Sequence, residues 1–290
     1  MESTNTKRII VPEAEEILEK EIKVLDKGFV RLVDYMGGDA AIVQAARVSY
    51  GEGTKKVSED RGLIRYLMRH RHTTPFEMVE MKWHCKMPIF VARQWIRHRT
   101  ANVNEYSLRY SEPRNDFYIP KFGEIRFQSV TNKQGGSEEK VPDVLTQIII
   151  DTILSTSNQA ISDYEWMNNN DISKELSRIV LPLNLYTEWY WKNDLHNTLH
   201  FLSLRLDKHA QYEIREYAKA MADIVRKVAP FAYEAFDDYI VNSVNFSSQE
   251  KEAIREIFSG KNLDEASGKL PPREKKEFIE KWDDIIENKK

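Results

Sequence analysis

The sequence predicts an α+β fold, and three observations carry that expectation. Ile22 to Val33 reads as two strands around Asp26-Lys27-Gly28, a hairpin signal flanked by β-branched and aromatic residues. Val79 to Met87 alternates with period two. Val79, Met81, Trp83, Cys85 and Met87 fall on one face and Glu80, Lys82, His84 and Lys86 on the other, the pattern of a half-buried strand. After Pro142, by contrast, apolar residues recur at helical spacing over long stretches.

Taken in order, Pro12 and the acidic residues Glu13, Glu15 and Glu16 suit the first turns of a short helix over 13–20. Asp39 is placed to cap a helix through Ala46. Ser58 is placed to cap another through Arg69, with Leu63, Ile64, Leu67 and Met68 facing the core. His72-Thr73-Thr74-Pro75 reads as a turn before the alternating strand, and Cys85 on that strand's apolar face is a small core hydrophobe. Pro88 opens a helix that brings Gln94, Arg97 and His98 near one face. Asn132 to Lys140, with Gln134-Gly135-Gly136-Ser137, reads as a flexible insertion. Pro142 begins a helix to about Met167, and Ile172 to Tyr186 is expected as another, interrupted at Pro182. Leu195 to about Val225 is expected as one helix with Leu195, Leu199, Leu202 and Leu206 inward. From Ser247 to Lys290 the chain is heavily charged, an appended helical or partly ordered tail. There is no internal repeat.

With 290 residues, 41% of them hydrophobic, the chain can bury a sizeable core. Its 43 Lys+Arg against 46 Asp+Glu give a net charge of -3, too little field to hold nucleic acid. Positive charge is concentrated locally instead. No run approaches the roughly eighteen apolar residues of a membrane span. The polar start lacks a secretory hydrophobic region, so a cytoplasmic protein without a membrane partner is expected. One cysteine excludes an intramolecular disulfide and any multi-cysteine metal site.

That local charge lies in Arg97-His98-Arg99-Thr100-Ala101-Asn102-Val103-Asn104-Glu105-Tyr106-Ser107-Leu108-Arg109-Tyr110. Arginine forks suit phosphate oxygens, while Glu105, Asn102, Asn104 and Ser107 can orient sugar hydroxyls or amide-like ring edges. The apolar Pro88 to Ile96 stretch delivers these groups from a buried element, not a floppy tail. A second cluster, Asp194, His196, His200, Arg205, Asp207, His209 and Gln211, occupies the late helix. His196 and His200 have the spacing of a helical zinc pair, but a zincin's glutamate is replaced by Asn197, and hydrogen bonding to a polar ligand or neighbouring helix is the better reading. Arg97, Arg99, Arg109, Arg178 and Arg205 exceed what one phosphate needs, which suggests two ligands, at least one a nucleotide. Tyr106, Tyr110, Trp95 and Trp191 offer stacking faces, although Trp95 is read as core. No glycine-rich phosphate loop is present, so a bound dinucleotide would be held by side chains.

Arg97-His98-Arg99 through Asn104-Glu105, Ser107 and Arg109-Tyr110 resembles the signature of flavin-dependent thymidylate synthases, Arg-His-Arg-x-x-Ser-x-Asn-Glu-x-Ser-x-Arg-Tyr. It departs at Asn102, where the family carries serine. The resemblance extends to Ala46-Arg47-Val48-Ser49, His72-x-Thr74-Pro75-Phe76-Glu77, Arg178 through Asn184 and Leu204-Arg205-x-Asp207-x-His209-Ala210-Gln211. It covers residues 22–240, leaving 1–21 as an N-terminal extension and 241–290 as a charged C-terminal tail. It implies an antiparallel sheet flanked by long helices, assembled as a homotetramer with shared active sites. It also implies FAD as prosthetic group, with dUMP, 5,10-methylenetetrahydrofolate and NADPH converted to dTMP, tetrahydrofolate and NADP. By position in the motifs, Gln94, Arg97, Glu105, Tyr106, Ser107, Leu108, Arg109, Arg178 and Arg205 would bind dUMP. Arg205 would be catalytic, sitting by the uracil and favouring ionisation at N3. Ser49, His72, Thr74, Arg97, His98, Arg99, Glu105, Asp194, His196 and His200 would contact the flavin, and no metal is implied.

The residues agree with one part of this independently. A thiol nucleophile must be exposed and activated, and the sole candidate, Cys85, lies on a strand's apolar face. Ser107 has no evident histidine-acid pair to activate it and is better placed as a phosphate ligand. A metal-dependent nucleotide hydrolase built on His196, His200 and His209, and a nucleotide- or RNA-binding module built on the arginine stretch, are the competing readings. Chelator sensitivity would mark the first, and salt-dependent binding without turnover the second.

Overall fold

The computed structural model describes residues 7–48, 57–130 and 135–287, and contacts divide the chain into two units, Met1–Val241 and Asn242–Lys290. The first unit is built on a five-stranded antiparallel sheet. Its hairpin pairs β1 (Ile22–Val24) with β2 (Gly28–Met36), Val24 opposite Gly28, as the sequence predicts. Gly28 has no alternative: a Cβ there would lie 2.0 Å from the Tyr217 hydroxyl, which itself donates to the Lys86 carbonyl at 2.7 Å. β3 (Glu80–Pro88) keeps the expected alternation, with Met81, Trp83, Cys85 and Met87 fully buried. β4 (Asn102–Glu105) lies within the signature stretch. β5 (Arg126–Gln128) and β6 (Gly136–Lys140) form a separate ribbon. The stretch read as a flexible insertion therefore contains an ordered strand, because Gly136–Lys140 finds a backbone partner in Arg126–Gln128; residues 131–134 lie outside the described ones.

β7 (Tyr186–Asp194) corrects the sequence reading, which carries a helix to Tyr186. It is a central strand, paired on both sides in the order β1-β2-β3-β7-β4. Tyr186 to Asp194 alternates like β3: Thr187, Trp189, Trp191 and Asn193 are buried, while Tyr190 is exposed. Backbone groups of β3 and β4 would otherwise be left without partners.

The helices run as follows. α1 (Pro12–Glu15) stops short of the predicted 13–20 because the chain turns and passes through Glu19 at φ 60°. α2 (Asp39–Val48) and α3 (Val57–Arg69) lie where expected, and α4 (Thr74–Glu77) is a single helical turn where the sequence suggests a turn. α5 (Ile89–Trp95) starts after Pro88 and α6 (Asp143–Asn169) after Pro142. Of the helix expected over 172–186 only α7 (Lys174–Ser177) and a 3₁₀ turn at Arg178–Val180 form. The helix expected from Leu195 to Val225 is two, α8 (Leu195–Arg205) and α9 (Tyr212–Val228). Between them the Asp207 carboxylate accepts from the His209 backbone N–H at 2.7 Å and diverts the chain into a turn. α10 (Pro230–Phe236) follows.

Asp39 also departs from expectation. The first turn of α2 closes on the Gly38 carbonyl, and the Asp39 carboxylate instead caps α10, accepting from Phe231 N at 2.7 Å and Ala232 N at 3.0 Å. Burial pushes this carboxyl up to about 6.

Residues of the second unit form α11 (Ser248–Phe258), α12 (Leu263–Ala266) and α13 (Pro272–Glu287) around a small core of Ala253, Leu270 and Phe278. Ser247 and Glu250 make a reciprocal capping box, and the Glu250 carboxylate also meets Lys281 Nζ at 2.7 Å.

Candidate active site

The buried face of β7 packs against α5 and α8 and fixes both helices in place. Trp95, at the end of α5, sits edge-on to Trp189 at 5.6 Å and Trp191 at 5.5 Å and stacks on Phe201 of α8 at 4.7 Å. All four rings are buried. The reading of Trp95 as core is correct, and the indole locks the end of α5 in place.

The turn after α5, closed by His98 N donating to the Trp95 carbonyl at 3.0 Å, aims His98 at Phe201 and α8. Its Nε2 accepts from Arg205 Nε at 3.2 Å, and the His200 ring lies 5.9 Å away. Burial, then the neighbouring Arg205 and His200, hold His98 down to about 4, so its imidazole is neutral near pH 7. Burial also lowers Arg205 from its ordinary value. Its two terminal nitrogens keep no protein partner among the described residues.

One turn before His98, Gln94 Nε2 donates to Gln211 Oε1, and Gln211 Nε2 donates to Glu213 at 2.8 Å. Arg97 and Arg99 are exposed, with no side-chain partner among the described residues. On β4, Glu105 accepts from Thr187 Oγ1 at 2.7 Å across to β7. Asn102, opposite Lys192, belongs to the other row of β4, so the departure from the signature does not fall on the face that carries Glu105. Beyond β4, Tyr106 N donates to the Glu188 carbonyl at 2.8 Å and the Tyr106 hydroxyl to the Glu112 carbonyl at 2.9 Å. Ser107 Oγ accepts from Arg109 N at 3.3 Å, and Leu108 beside it is half-buried. Arg109 pairs with Glu175 at 3.3 Å while Arg178 Nε donates to the Glu175 carbonyl at 3.1 Å, so the two guanidiniums meet at one residue.

At the start of α8, Asp194 accepts from Asn197 N at 2.8 Å and Asn197 Nδ2 at 2.7 Å. Asn197, where a zincin would have glutamate, is thereby a capping partner. Leu195 N donates to the Val79 carbonyl at 2.7 Å, which ties this end of α8 to the segment after α4. Thr74 lies on α4 and His72 just before it; both are exposed, the His72 ring 6.0 Å from Tyr66. His196 is half-buried and His200 exposed. His209 is engaged by Asp207 at 2.9 Å, and no group of three or more His, Cys, Asp or Glu is arranged to hold a metal ion among the described residues. Ser49 lies outside the described residues.

Within one chain the structure thus joins Arg205 to His98, His98 to His200, Gln94 to Gln211, and both Arg109 and Arg178 to Glu175, but leaves Arg97, Arg99, Thr74 and His196 unengaged. The free guanidiniums of Arg97 and Arg99 are a donor set that fits a dinucleotide pyrophosphate, and the neutral His98 imidazole can meet its ring edges. Sequence reading missed Thr187, Glu175 and Glu213. Strand alternation through Trp189 and Trp191 could have found Thr187, whereas the two glutamates carry no local signal. Cys85 is fully buried and its thiol is pushed far above the ordinary thiol range by burial.

The family model for the thymidylate synthase complementing protein matches residues 31–231. A flavin-dependent thymidylate synthase of Wolbachia pipientis wMel is 56% identical over 93% of this chain and 94% of that protein. One from Ehrlichia ruminantium (strain Gardel) is 54% identical over 97% of this chain and 94% of its own length. Among solved structures, a UMP/dUMP methylase from Streptomyces cacaoi bound with 5-Br dUMP superposes with a TM-score of 0.70 at 32% identity. It matches 77% of this chain and all of its own.

Proposed function

The chain belongs to the flavin-dependent thymidylate synthase family, and from that premise we propose that it converts dUMP to dTMP with 5,10-methylenetetrahydrofolate as carbon donor and NADPH as reductant. Family membership makes it an enzyme that needs a flavin. The observation that carries the rest is the Arg205–His98 contact. It occupies Nε and leaves the terminal N–H groups of a partly desolvated cation for a ligand. Beside a uracil, such a cation favours loss of the N3 proton, and the resulting anion makes C5 more nucleophilic. The buried Cys85 offers no competing nucleophile.

The bound substrate would be oriented by Gln94, Arg97, Glu105, Tyr106, Ser107, Leu108, Arg109 and Arg178, with the arginines and Ser107 taking the phosphate. FAD would be held by Ser49, His72, Thr74, Arg97, His98, Arg99, Glu105, Asp194, His196 and His200, and would supply the reducing equivalents. The neutral imidazole of His98 keeps a second positive charge away from Arg205. Two features support a homotetramer with shared sites: the site residues stay in separate groups on one chain, and α6 and the segment after it expose Val144, Ile148, Leu176 and Ile179. The proposal includes work in the cytoplasm, without membrane or nucleic acid; no helix among the described residues is long and apolar enough to cross a membrane.

The test is the absorbance spectrum of the protein with FAD, then dUMP, followed by anaerobic turnover with methylenetetrahydrofolate and NADPH. A flavin band that shifts with dUMP, and dTMP as product, are expected. A protein that retains no flavin, or a loaded protein that ignores dUMP, would overturn the proposal.

A further inference from the structure

The amide of Gln94 is held by a relay whose direction is set by chemistry. A carboxylate only accepts hydrogen bonds. One Glu213 oxygen takes the Tyr118 hydroxyl at 3.3 Å and the other takes Gln211 Nε2 at 2.8 Å. An amide has its donor and its acceptor on opposite atoms, so Gln211 is left to offer Oε1 to Gln94. Gln94 answers with Nε2, and its own Oε1 keeps no partner among the described residues. Gln94 lies in the last turn of α5, four residues before His98, which holds Arg205 Nε.

We propose that Glu213, acting through Gln211, is a positioning residue that fixes Gln94 with its carbonyl oxygen toward the nucleotide, so that the site reads a hydrogen-bond donor there. On dUMP that donor is the 3′-hydroxyl of the sugar, because a carbonyl at N3 would oppose the loss of the N3 proton that Arg205 favours. The inference rests on the reading that dUMP binds beside Gln94 and Arg205. A polar group committed to one partner discriminates strongly, because a ligand lacking the donor leaves it unpaired. Were the relay inverted, Gln94 would present Nε2 and the preference would turn toward an acceptor.

The experiment compares dUMP with 2′,3′-dideoxyuridine 5′-monophosphate, which lacks the 3′-hydroxyl, by calorimetric titration of the FAD-loaded protein. Wild type should bind the dideoxy analogue markedly less tightly than dUMP, and equal affinity would overturn the proposal. Glu213→Gln can donate to Gln211 and permits inversion, so that penalty should shrink about tenfold, the scale of one reversed hydrogen bond. Gln211→Met, which removes the middle of the relay, should shrink it as well. Tyr118→Phe takes away a Glu213 partner without touching relay direction and should leave the penalty intact. The proposal is overturned if Glu213→Gln and Gln211→Met keep the wild-type penalty, or if Tyr118→Phe erodes it equally. Wild-type protein that fails to bind dUMP at all would instead defeat the reading of the site on which it rests.

Discussion

Arg205 and His98 share one hydrogen bond, 3.2 Å from guanidinium Nε to imidazole Nε2, and its direction has one solution. Arginine has no acceptor, so His98 must present Nε2 unprotonated and carry its proton on Nδ1. A protonated His98 would set two cations against each other in a half-buried setting. The low His98 value of about 4 and the orientation of Arg205 are therefore one arrangement seen from two residues.

Arg205→Ala is expected to lower turnover about a hundredfold or more, the scale on which a single preorganised charged donor acts, while flavin stays largely bound. Steady-state kinetics together with the flavin-to-protein ratio check this. Retained turnover would remove Arg205 from catalysis, and a colourless variant would show that it serves the flavin.

His98 sets a stability that depends on pH. Its folded value near 4 lies below the ordinary 6.5, so between these the unfolded chain binds more protons and stability rises with pH. The contribution is complete above about 6.5 and is lost as pH falls toward 4. Because the ring is half-exposed, solvent screening leaves about 1–2 kcal/mol of it. Urea unfolding midpoints of wild type and His98→Phe at pH 7 and pH 4.5 should show a shallower dependence for the variant. Parallel dependence in both would mean that His98 titrates normally.

Cys85→Ala should remain active and lose about 1 kcal/mol of stability through a small cavity. Cys85 packs fully buried among Val30, Trp83 and Met87, so thiol reagents should not inactivate the folded protein. An inactive but folded alanine variant would restore the thiol as a nucleophile.

How much of this was legible in the sequence depended on where each residue's partner lies. β3 could be read because Met81, Trp83, Cys85 and Met87 record their own burial in a period of two, and the signature marked Arg97 to Arg109 by composition. β7 has the same alternation, but it follows Arg178 to Pro182, whose apolar spacing extended a helix too far. The break after Arg205 escaped because Leu206 continues the leucine spacing, while the turn is made by a bond from His209 N to Asp207 that periodicity does not record. The link from Gln94 through Gln211 to Glu213 was hardest of all: the first two were marked by their motifs, but their contact exists only once the sheet has brought α5 and the start of α9 together.

Asp39 shows the same limit and yields the last test. The sequence marks it as a cap for α2, yet its two oxygens take the N–H groups of Phe231 and Ala232 at the start of α10. Asp39→Ala should therefore cost about 1–2 kcal/mol, as lost caps do, through α10 and not α2. The sign with pH runs opposite to that of His98. Burial raises Asp39 from 3.8 to about 6 against the two backbone bonds that favour its ionised form. Between those values the folded state binds the extra proton, so the Asp39 contribution is complete below about 3.8 and is lost as pH rises through 6. The deficit of Asp39→Ala relative to wild type should accordingly be larger at pH 4.5 than at pH 7.5, measured as the difference in urea midpoints at each pH. A deficit that grows with pH would mean the carboxylate is stabilised in its ionised form, and that its bonds to Phe231 and Ala232 outweigh the cost of burying the charge.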